Sequence, residues 1–369
     1  MKVALKNLVE IKSGYSPSAF ELMENGSIPY VKVEDMNNCT KYQNASREYC
    51  EDVDRSVPAG AIIFPKRGAA IMNNKVRITA TDICMDTNMM AIIPNGKIQS
   101  EFLYYTIIYE KLSRIADTST IPQINNKHIN PYKIPLPPVP EQKAIADLLS
   151  TWDEAIEKTE RLIQAKEKRF KWLINSLINA TKDCEEIRLG QICTVTKGKQ
   201  LNVAHMKDDG VYYALNGGID PSGRTDDWNT EAETITISEG GNSCGYVNYN
   251  AERFWSGGHC YSLLRIKKNV DKHYLYFYLK MNEPKLMKLR VGSGLPNIQK
   301  KDVDKFIVAL PSLDEQQQIA QSLSSARREI DLLKQLADKY KTQKRGLMQK
   351  MLTGEWRVKP EIVNQYMEA

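Results

Sequence analysis

The chain has 369 residues, of which 51 are Lys or Arg and 45 are Asp or Glu, so its formal net charge is +6. This length accommodates two or three domains, and the mildly basic balance neither requires nor excludes a polyanionic partner. The sequence has no run of about 18 apolar residues, and its first residues lack the apolar core of a signal peptide. We therefore expect a cytoplasmic protein with no membrane partner.

The seven cysteines are scattered singly without a Cys-x-x-Cys pair, which favours free thiols over a disulfide framework or a zinc site. The four histidines are also isolated from one another. Of these, only His259 is next to a cysteine, and that pair is more typical of a packed strand than of a ligand set. The sequence therefore predicts no metal site.

Residues 1–140 have the pattern of a mixed, strand-rich domain. Short apolar runs at 30–33, 61–64 and 90–93 are bounded by turn residues, and 102–109 has the composition of a helix. The proline-rich stretch 135–140 cannot continue a helix and forms a stiff exit from this domain.

A long helix is predicted for residues 141–180 and a second for 312–353, where Ser312 and Glu315 form a capping box. Apolar positions alternate four and three apart along both helices, which is the pattern of a coiled coil. The predicted seam includes Ile145, Leu149, Trp152, Ile156 and Phe170 in the first helix, and Ile319, Leu323, Ile330, Leu333 and Leu347 in the second. The alternative is two ordinary amphipathic helices, each packed on its own domain.

Most of the segment that leads into the first helix occurs twice. Residues 121–146 recur as 295–320 at a constant offset of 174, which places Pro122 on Pro296 and Ile124 on Ile298. Such self-similarity indicates a tandem duplication. A linker at 181–186 precedes a second domain, 187–311, whose opening matches residues 3–14 at an offset of 184. The first variable region is thus about ten residues longer, and the two domain interiors hardly align.

Geometry favours an antiparallel pair of helices. Each is about 40 residues or about 60 Å long, whereas a domain of this size is about 35–40 Å across, so an antiparallel arrangement needs the shorter connection. The predicted fold class is α+β, with two α/β domains separated by two long antiparallel helices that form a coiled coil and a pseudo-twofold internal repeat. No fold is assigned to the tail, 354–369.

Motifs of a stand-alone enzyme are missing. Neither Val291-Gly-Ser-Gly294 nor Asn130-Pro-Tyr132 has the length or flanks of the two motifs of a DNA methyltransferase, which bind S-adenosylmethionine and the target amine. The sequence also lacks a Walker loop, a His-Glu-x-x-His helix and a convincing cluster of nuclease carboxylates.

Both domains instead carry polar, planar and basic side chains on glycine-rich loops. Arg and Lys pair with guanine edges, Asn and Gln with adenine, and backbone amides with phosphate, so these loops are candidates for DNA contact. The candidates are Lys66, Arg67, Asn73, Asn74, Lys75 and Arg77 in the first domain and Lys197, Lys199, Asn216, Arg224, Asn242 and Ser243 in the second. The alternative is that they are ordinary solvated turns.

The repeated Pro-x-Ile motif, Pro122–Ile124 and Pro296–Ile298, also has polar residues in corresponding places. Asn125 and Lys127 of the first copy match Gln299 and Lys301 of the second, where Lys300 adds a further cation. These groups either track a phosphate backbone or cap the last piece of each domain before its helix.

Together these features resemble the specificity subunit of type I restriction-modification systems. The resemblance lies in the paired Ile-Pro-Gln-Ile and Leu-Pro-Asn-Ile elements, the Leu-Pro-x-x-x-Glu-Gln-x-x-Ile-Ala entries into both long helices, and the closing segment 346–354. It covers the chain apart from the tail. It identifies 1–140 and 187–311 as target-recognition domains, and 141–180 and 312–353 as the central and distal conserved helices.

The family implies a DNA-reading scaffold without an active site of its own. Each target-recognition domain reads one half of a bipartite site in double-stranded DNA, and the coiled coil sets the gap between the halves. Two modification subunits, which use S-adenosylmethionine, dock on the helices, and two ATP- and Mg-dependent restriction subunits can join them. No cofactor is expected in this chain. Asp302 stands where the first copy has His128, so a symmetric phosphate contact is not implied there.

Two other functions remain open on the residues alone. A stand-alone methyltransferase or nuclease with degenerate motifs would bind S-adenosylmethionine or modify DNA unaided. A coiled-coil adaptor whose end domains bind protein would lack the salt-dependent DNA affinity that phosphate contacts produce.

Overall fold

The computed structural model describes residues 2–292, 294 and 296–367. Leu295, which begins the second copy of the repeated motif, lies outside this part, as do Ser293 of the Gly-Ser-Gly stretch and the last two residues of the tail. The chain forms two compact units, unit 1 with residues 1–160 and 336–369 and unit 2 with residues 161–335. None of the described helices combines the length and hydropathy required to cross a membrane.

Within the described residues, the first half of the chain forms ten strands and five α-helices. The strands are β1 (Lys2–Ala4), β2 (Val9–Ser13), β3 (Ile28–Val31), β4 (Tyr42–Gln43), β5 (Tyr49–Cys50), β6 (Ile62–Pro65), β7 (Arg77–Thr79), β8 (Cys84–Met85), β9 (Met89–Pro94) and β10 (Lys133–Pro135). The helices are α1 (Ala69–Met72), α2 (Ser100–Glu110), α3 (Leu112–Ile115), α4 (Asn126–Ile129) and α5 (Val139–Asn179).

The second half repeats this mixture. Its strands are β11 (Glu185–Arg188), β12 (Thr194–Lys197), β13 (Tyr212–Leu215), β14 (Gly223–Thr225), β15 (Thr234–Ser238), β16 (Val247–Asn250), β17 (Phe254–Ser256), β18 (Cys260–Leu264) and β19 (Ile307–Leu310). Its helices are α6 (Leu189–Ile192), α7 (Lys272–Met281), α8 (Glu283–Met287), α9 (Lys300–Asp304), α10 (Leu313–Leu352) and, in the tail, α11 (Pro360–Gln365).

The two units share one strand topology. The main sheet of unit 1 has the order β2-β9-β6-β7-β4, and that of unit 2 has β12-β18-β15-β16. A smaller sheet, β5-β3-β8 in unit 1 and β14-β13-β17 in unit 2, has one antiparallel and one parallel pair in both cases. Each domain is closed by a two-stranded ladder, β1-β10 or β11-β19. The predicted α+β class with an internal repeat is confirmed.

Two equivalent glycines at the end of the matched openings bond to strands of the variable interiors in the same way. Gly14 donates its amide to the Met89 carbonyl, and Gly198 donates to Cys260, the equivalent residue of β18. A Cβ atom at either glycine would come within 2.3 Å of a backbone oxygen, so no other residue fits. The interiors diverge in sequence while the backbone pairing is retained.

The difference in length lies between the first two strands of the small sheet. Strand pairing equates Val31 with Leu215 at an offset of 184, but Cys50 with Thr225 at an offset of 175. Unit 1 therefore has residues 32–48 where unit 2 has only 216–223, and the extra residues carry β4.

The long helices run Val139–Asn179 and Leu313–Leu352, against predicted ranges of 141–180 and 312–353. In unit 1 the start of α5, with Ile145 and Leu149, shares a core with Met348 and Met351 from the end of α10. In unit 2 the end of α5 shares a core with the start of α10; these positions are Phe170, Ile174 and Ile178 with Ile319, Leu323 and Ile330. The helices are therefore antiparallel within each unit, and their ends complete the domain cores.

Between those ends the contacts are from helix to helix. In unit 1 the rings of Trp152 and Tyr340 lie 5.5 Å apart, and Lys341 pairs with Glu160 at 2.6 Å. In unit 2 Lys166 pairs with Glu329 and Lys334 with Glu167, both at 2.6 Å. The remaining predicted seam residues, Ile156, Leu333 and Leu347, are half-buried. The middle of each long helix therefore pairs with the other helix as in a coiled coil, whereas the ends pack on the domains as amphipathic helices.

A buried glutamine fixes each long helix to its domain. Gln142 accepts the Gln99 amide at 2.8 Å and donates to the carbonyls of Lys97 at 3.1 Å and Pro137 at 2.9 Å. Gln316 repeats this in unit 2, accepting from Asp271 at 2.9 Å and donating to Asn269 at 3.3 Å and Pro311 at 2.9 Å. Both side chains are inaccessible to solvent or nearly so.

The tail packs on unit 1. The Arg357 guanidinium forms a two-pronged ion pair with Glu141, and the Val358 amide donates to the same carboxylate at 3.2 Å. These contacts hold the pKa of Glu141 below its usual value, chiefly through the Arg357 hydrogen bonds. Glu315 is the equivalent of Glu141 in unit 2, and no described residue forms an ion pair with it.

Replacing either buried glutamine should destabilise its unit. Gln142→Ala or Gln316→Ala leaves one amide and two carbonyls without partners, and we expect the free energy of unfolding to fall by about 1–3 kcal/mol. Urea unfolding measures this, with the exposed Gln317→Ala as the control. A loss no larger than that of the control would contradict the role assigned to the pair.

The Glu141 ion pair predicts a pH dependence. Because the folded-state pKa is lowered from 4.5, the stabilisation is complete above that pH and is lost as the pH falls through the folded-state pKa. The difference in unfolding free energy between the unmodified protein and Glu141→Gln should therefore shrink below pH 4.5. Glu315→Gln removes the equivalent carboxylate, which forms no ion pair with a described residue, and is the matched control. A difference for Glu141→Gln that stays constant below pH 4.5 would contradict the role of the ion pair.

Candidate nucleic-acid interface

In unit 1 the loop that follows β6 is held by two other segments. The Lys66 amide donates to the Asn88 carbonyl at 2.8 Å, and the Ile124 amide donates to Lys66 at 2.9 Å. Gly68 donates to Pro122 at 2.9 Å. Residues 66–68, 86–88 and 122–125 therefore meet at one end of the main sheet, and we name them loop cluster 1.

Unit 2 has the same arrangement after β15. The Glu239 amide donates to His259 at 2.9 Å, Ile298 donates to Glu239 at 2.8 Å, and Gly241 donates to Pro296 at 2.9 Å. Residues 239–245, 257–259 and 296–299 form loop cluster 2. Lys66 and Glu239 are thus equivalent, as are Asn88 and His259.

The Pro-x-Ile motif has a backbone role at both places. Ile124 and Ile298 are fully buried, and their amides hold the loop that follows the central strand. The polar residues around the motif remain at the surface, with Lys127 and Lys301 exposed in equivalent positions. The motif closes the domain and fixes the loop, while phosphate contact by its neighbours stays a prediction.

Seven of the predicted DNA-contacting residues present side chains with no hydrogen bond or ion pair to any described residue. They are exposed and available to a ligand. They are Arg67, Asn73 and Lys127 in unit 1 and Lys199, Asn242, Lys300 and Lys301 in unit 2.

Three predicted residues of unit 1 instead stabilise the domain. The Arg77 guanidinium donates to the carbonyls of Cys39 at 2.9 Å, Met36 at 2.8 Å and Val76 at 2.7 Å. Asn74 bridges the Ile108 carbonyl and the Leu112 amide, and Lys75 donates to Asn37 at 2.7 Å. The side chains of Asn74 and Arg77 are therefore engaged within the domain and are not free to contact DNA.

Unit 2 has a similar internal set. Arg224 donates to the carbonyls of Gly210 at 2.6 Å and Val211 at 2.7 Å. Ser243 donates to Gly217 at 2.7 Å and Asn216 accepts the His259 amide at 3.3 Å, so both shape loop cluster 2 from within.

Two predicted residues lie in the polar surroundings of the Pro-x-Ile motif. Asn125 precedes α4, and its amide donates to His128 Nδ1 at 3.1 Å. Gln299 precedes α9, is exposed and donates to the Asn297 side chain at 3.1 Å.

The two loop clusters carry opposite charges at one equivalent position. In loop cluster 1 burial lowers the pKa of the Lys66 ammonium, and neighbouring Arg67 lowers it further. In loop cluster 2 the buried Glu239 carboxylate accepts from Lys197 at 2.6 Å and Tyr261 at 2.9 Å. The two surfaces therefore offer different groups to a ligand.

Sequence reasoning missed Asn88, Glu239 and His259. His259 is largely exposed, and its Nδ1 lies 3.4 Å from a Glu239 oxygen. Each of these residues directly precedes or follows an apolar strand, a position that could have marked it, but none belongs to a recognisable motif. Across the part of the chain described, no three His, Cys, Asp or Glu side chains are grouped to hold a metal.

Comparison with known proteins gives one consistent family. The model for the type I restriction modification DNA specificity domain matches residues 1–167 and again 181–341. A Methanocaldococcus jannaschii protein, provisionally named the MjaX type I restriction enzyme specificity subunit, is 26% identical over 316 residues. That match spans 74% of this chain and 72% of the relative.

Solved structures show the same fold. The crystal structure of a type I restriction-modification system S subunit from M. genitalium has a TM-score of 0.65 at 20% identity and covers 95% of this chain and 96% of that one. A chain from a structure on complex assembly and conformational transition of the type I R-M system has a TM-score of 0.61 at 17% identity, covering 96% and 98%. With two matched domains and this shared topology, the chain belongs to the family of type I restriction modification DNA specificity domains.

Proposed function

We propose that this chain is the DNA sequence-specificity subunit of a type I restriction-modification enzyme and has no catalytic centre of its own. Each target-recognition domain reads one half of a bipartite site in double-stranded DNA through its loop cluster. The observation that carries this proposal is the presence of two equivalent loop clusters on one duplicated backbone frame, with different side chains at equivalent places.

The charges support two different half-sites. Exposed arginine and lysine suit guanine edges and phosphates, whereas a carboxylate accepts from the cytosine amino group. Loop cluster 1 presents Arg67, with the exposed Lys127 two residues beyond its last segment. Loop cluster 2 contains Glu239 and His259, with the exposed Lys301 two residues beyond its last segment. An asymmetric recognition sequence follows from this difference.

The long helices are proposed to set the gap between the half-sites and to dock two modification subunits, with two restriction subunits able to join. Exposed apolar side chains on these helices support a protein partner, including Trp172 at 64%, Leu332 at 55% and Leu162 at 43% exposure in unit 2. One of the solved relatives comes from work on complex assembly of the type I R-M system.

The division of labour follows the same proposal. DNA is read by the two domains, residues 1–140 and 187–311. The spacing is set and the partners are bound by the long helices, residues 141–180 and 312–353. The linker is 181–186 and the tail is 354–369. S-adenosylmethionine belongs to the modification subunit, and ATP with Mg to the restriction subunit.

Arg67→Ala should relax recognition in one half-site only. If Arg67 contacts a base edge, we expect a loss of about 1–3 kcal/mol in discrimination there; a phosphate contact would instead weaken all sites and reduce the salt slope by about one. The measurement is binding of the complex with its modification subunits to duplexes that carry single substitutions in each half, after the methylated adenines of the host genome have defined the site.

Lys97→Ala is the matched control for Arg67→Ala. Lys97 is exposed and follows the opposite end of β9, about 20 Å along the strand from loop cluster 1. It should leave both half-sites unchanged. Equal loss at both halves in Arg67→Ala would contradict the assignment of unit 1 to one half-site.

The helices should act as a spacer. Insertion of one heptad between Glu160 and Arg161 keeps the phase of the seam but lengthens α5 by about 10 Å, so we expect an altered spacer or lost assembly. A matched heptad added to α10 between Gln335 and Leu336 should restore assembly with a spacer longer by about 3 base pairs. An unchanged spacer in the doubly lengthened protein would contradict the proposal.

A further inference from the structure

The main sheet of unit 1 ends in a strand that has no counterpart among the described residues of unit 2. β4 runs parallel to β7, where the Ile78 amide donates to the Lys41 carbonyl at 2.8 Å and Ala80 donates to Gln43 at 2.9 Å. Residues 32–48 supply this strand, and the corresponding segment of unit 2, 216–223, is nine residues shorter.

Lys41, which directly precedes β4, places its ammonium against α2 and α5. The Lys41 ammonium donates to Glu101 at 2.9 Å, to the Tyr105 hydroxyl at 3.1 Å and to Ser150 at 3.3 Å. Its side chain is only 12% exposed. The Tyr105 hydroxyl in turn donates to Asp153 at 2.7 Å. The strand is thus anchored by one buried lysine beside Glu101 of α2 and Asp153 of α5, and Asp153 also pairs with Lys344 of α10.

In unit 2 the equivalent sheet edge is open among the described residues. The Ser238 amide donates to the Tyr246 carbonyl, and the Gly245 amide donates to Ser238. Bonding between β15 and β16 alternates from there, so the amides and carbonyls of Val247 and Tyr249 face away from β15. Glu283 accepts the Val247 amide at 2.9 Å, and Lys280 donates to its carbonyl at 3.0 Å. The described residues provide no partner for the amide or carbonyl of Tyr249.

A cavity of about 310 Å³ lies beside this edge. It is lined mainly by Tyr249, His273, Tyr276, Ser324, Arg327 and Arg328. Ser324 corresponds to Ser150 at the offset of 174 along the helices. His273 corresponds to Glu101. Each lies two residues after a helix cap, Asp271 or Gln99, and the amide of that cap donates to the buried glutamine of its unit. We name the edge and the cavity the edge site.

The edge site reverses the charge of its counterpart. Glu101, Asp153 and Glu154 of unit 1 are replaced by His273, Arg327 and Arg328. Asp331 opposes this charge, and it lies 3.4 Å from the Arg327 guanidinium. The Tyr249 hydroxyl is buried and has no hydrogen-bond partner among the described residues. A carboxylate would satisfy these donors as Lys41 satisfies the acceptors of unit 1.

We propose that the edge site binds an extended segment of a partner protein, which adds a parallel strand to β16 and inserts an Asp or Glu side chain between His273, Arg327 and Arg328. A polypeptide is favoured over nucleic acid because only a peptide backbone matches the spacing of amides and carbonyls along a strand edge. This interaction is independent of DNA reading by the loop clusters.

The probe is a synthetic peptide with the sequence of residues 38–46, in which Lys41 is replaced by Glu and Cys39 by Ser. Its matched control retains Lys41. We expect the Glu peptide to bind the full-length chain at least about tenfold more tightly than the Lys peptide, as judged by titration, because its carboxylate pairs with Arg327 and Arg328, whereas the Lys ammonium meets like charges there. Amide hydrogen exchange should slow at residues 247–251.

Charge exchange tests the pocket itself. Arg327→Asp introduces the residue that unit 1 has at the equivalent position, Asp153, and should shift preference towards the Lys peptide. Arg328→Glu should act in the same direction, and both arginines are exposed. Equal affinity of the two peptides, no binding, protection elsewhere in the chain, or protection of residues 247–251 by duplex DNA instead of peptide would each overturn the proposal.

Discussion

The buried amide side chains of Gln142 and Gln316 are the interaction on which both units depend. Each lies in the first turn of a long helix and hydrogen-bonds three backbone groups, from the exit of its domain and from the loop before α2 or α7. An unsatisfied group in this environment is costly, so the helix, the exit segment and the sheet domain must assemble together. Each loop cluster is connected to this joint through its Pro-x-Ile motif, whose isoleucine lies 18 residues before the buried glutamine.

The duplicated frame was predictable because its signals are local. A 174-residue offset, heptad periodicity and a proline-rich exit are visible in the residues themselves, and they placed both long helices within two residues of their ends. The candidate contacts were harder to predict because residue type does not show what a side chain meets. Arg67 and Arg77 looked alike in sequence, yet the former is exposed and the latter is surrounded by carbonyls from residues about 40 positions away.

The variable interiors show how one backbone can carry different recognition chemistry. Backbone hydrogen bonds fix the loop clusters without regard to side chains, so position 66 can be lysine where its equivalent, 239, is glutamate. A charge of either sign can be buried at this position because the neighbouring residues of each unit differ. Glu239, for example, is neutralised by Lys197 and hydrogen-bonded to Tyr261. Inserted segments such as 32–48 alter the sheet edge without disturbing this frame.

The tail contact between Arg357 and Glu141 bears on the order in which the chain can fold. Unit 2 consists of the continuous residues 161–335, whereas unit 1 needs residues 336–369, including Met348 and Met351 of its core. During synthesis, unit 2 is therefore complete while unit 1 still exposes the apolar positions Ile145 and Leu149. Closing unit 1 joins residues about 200 positions apart, a slow and entropically costly step that leaves this unit exposed to misassembly until the last segment is made.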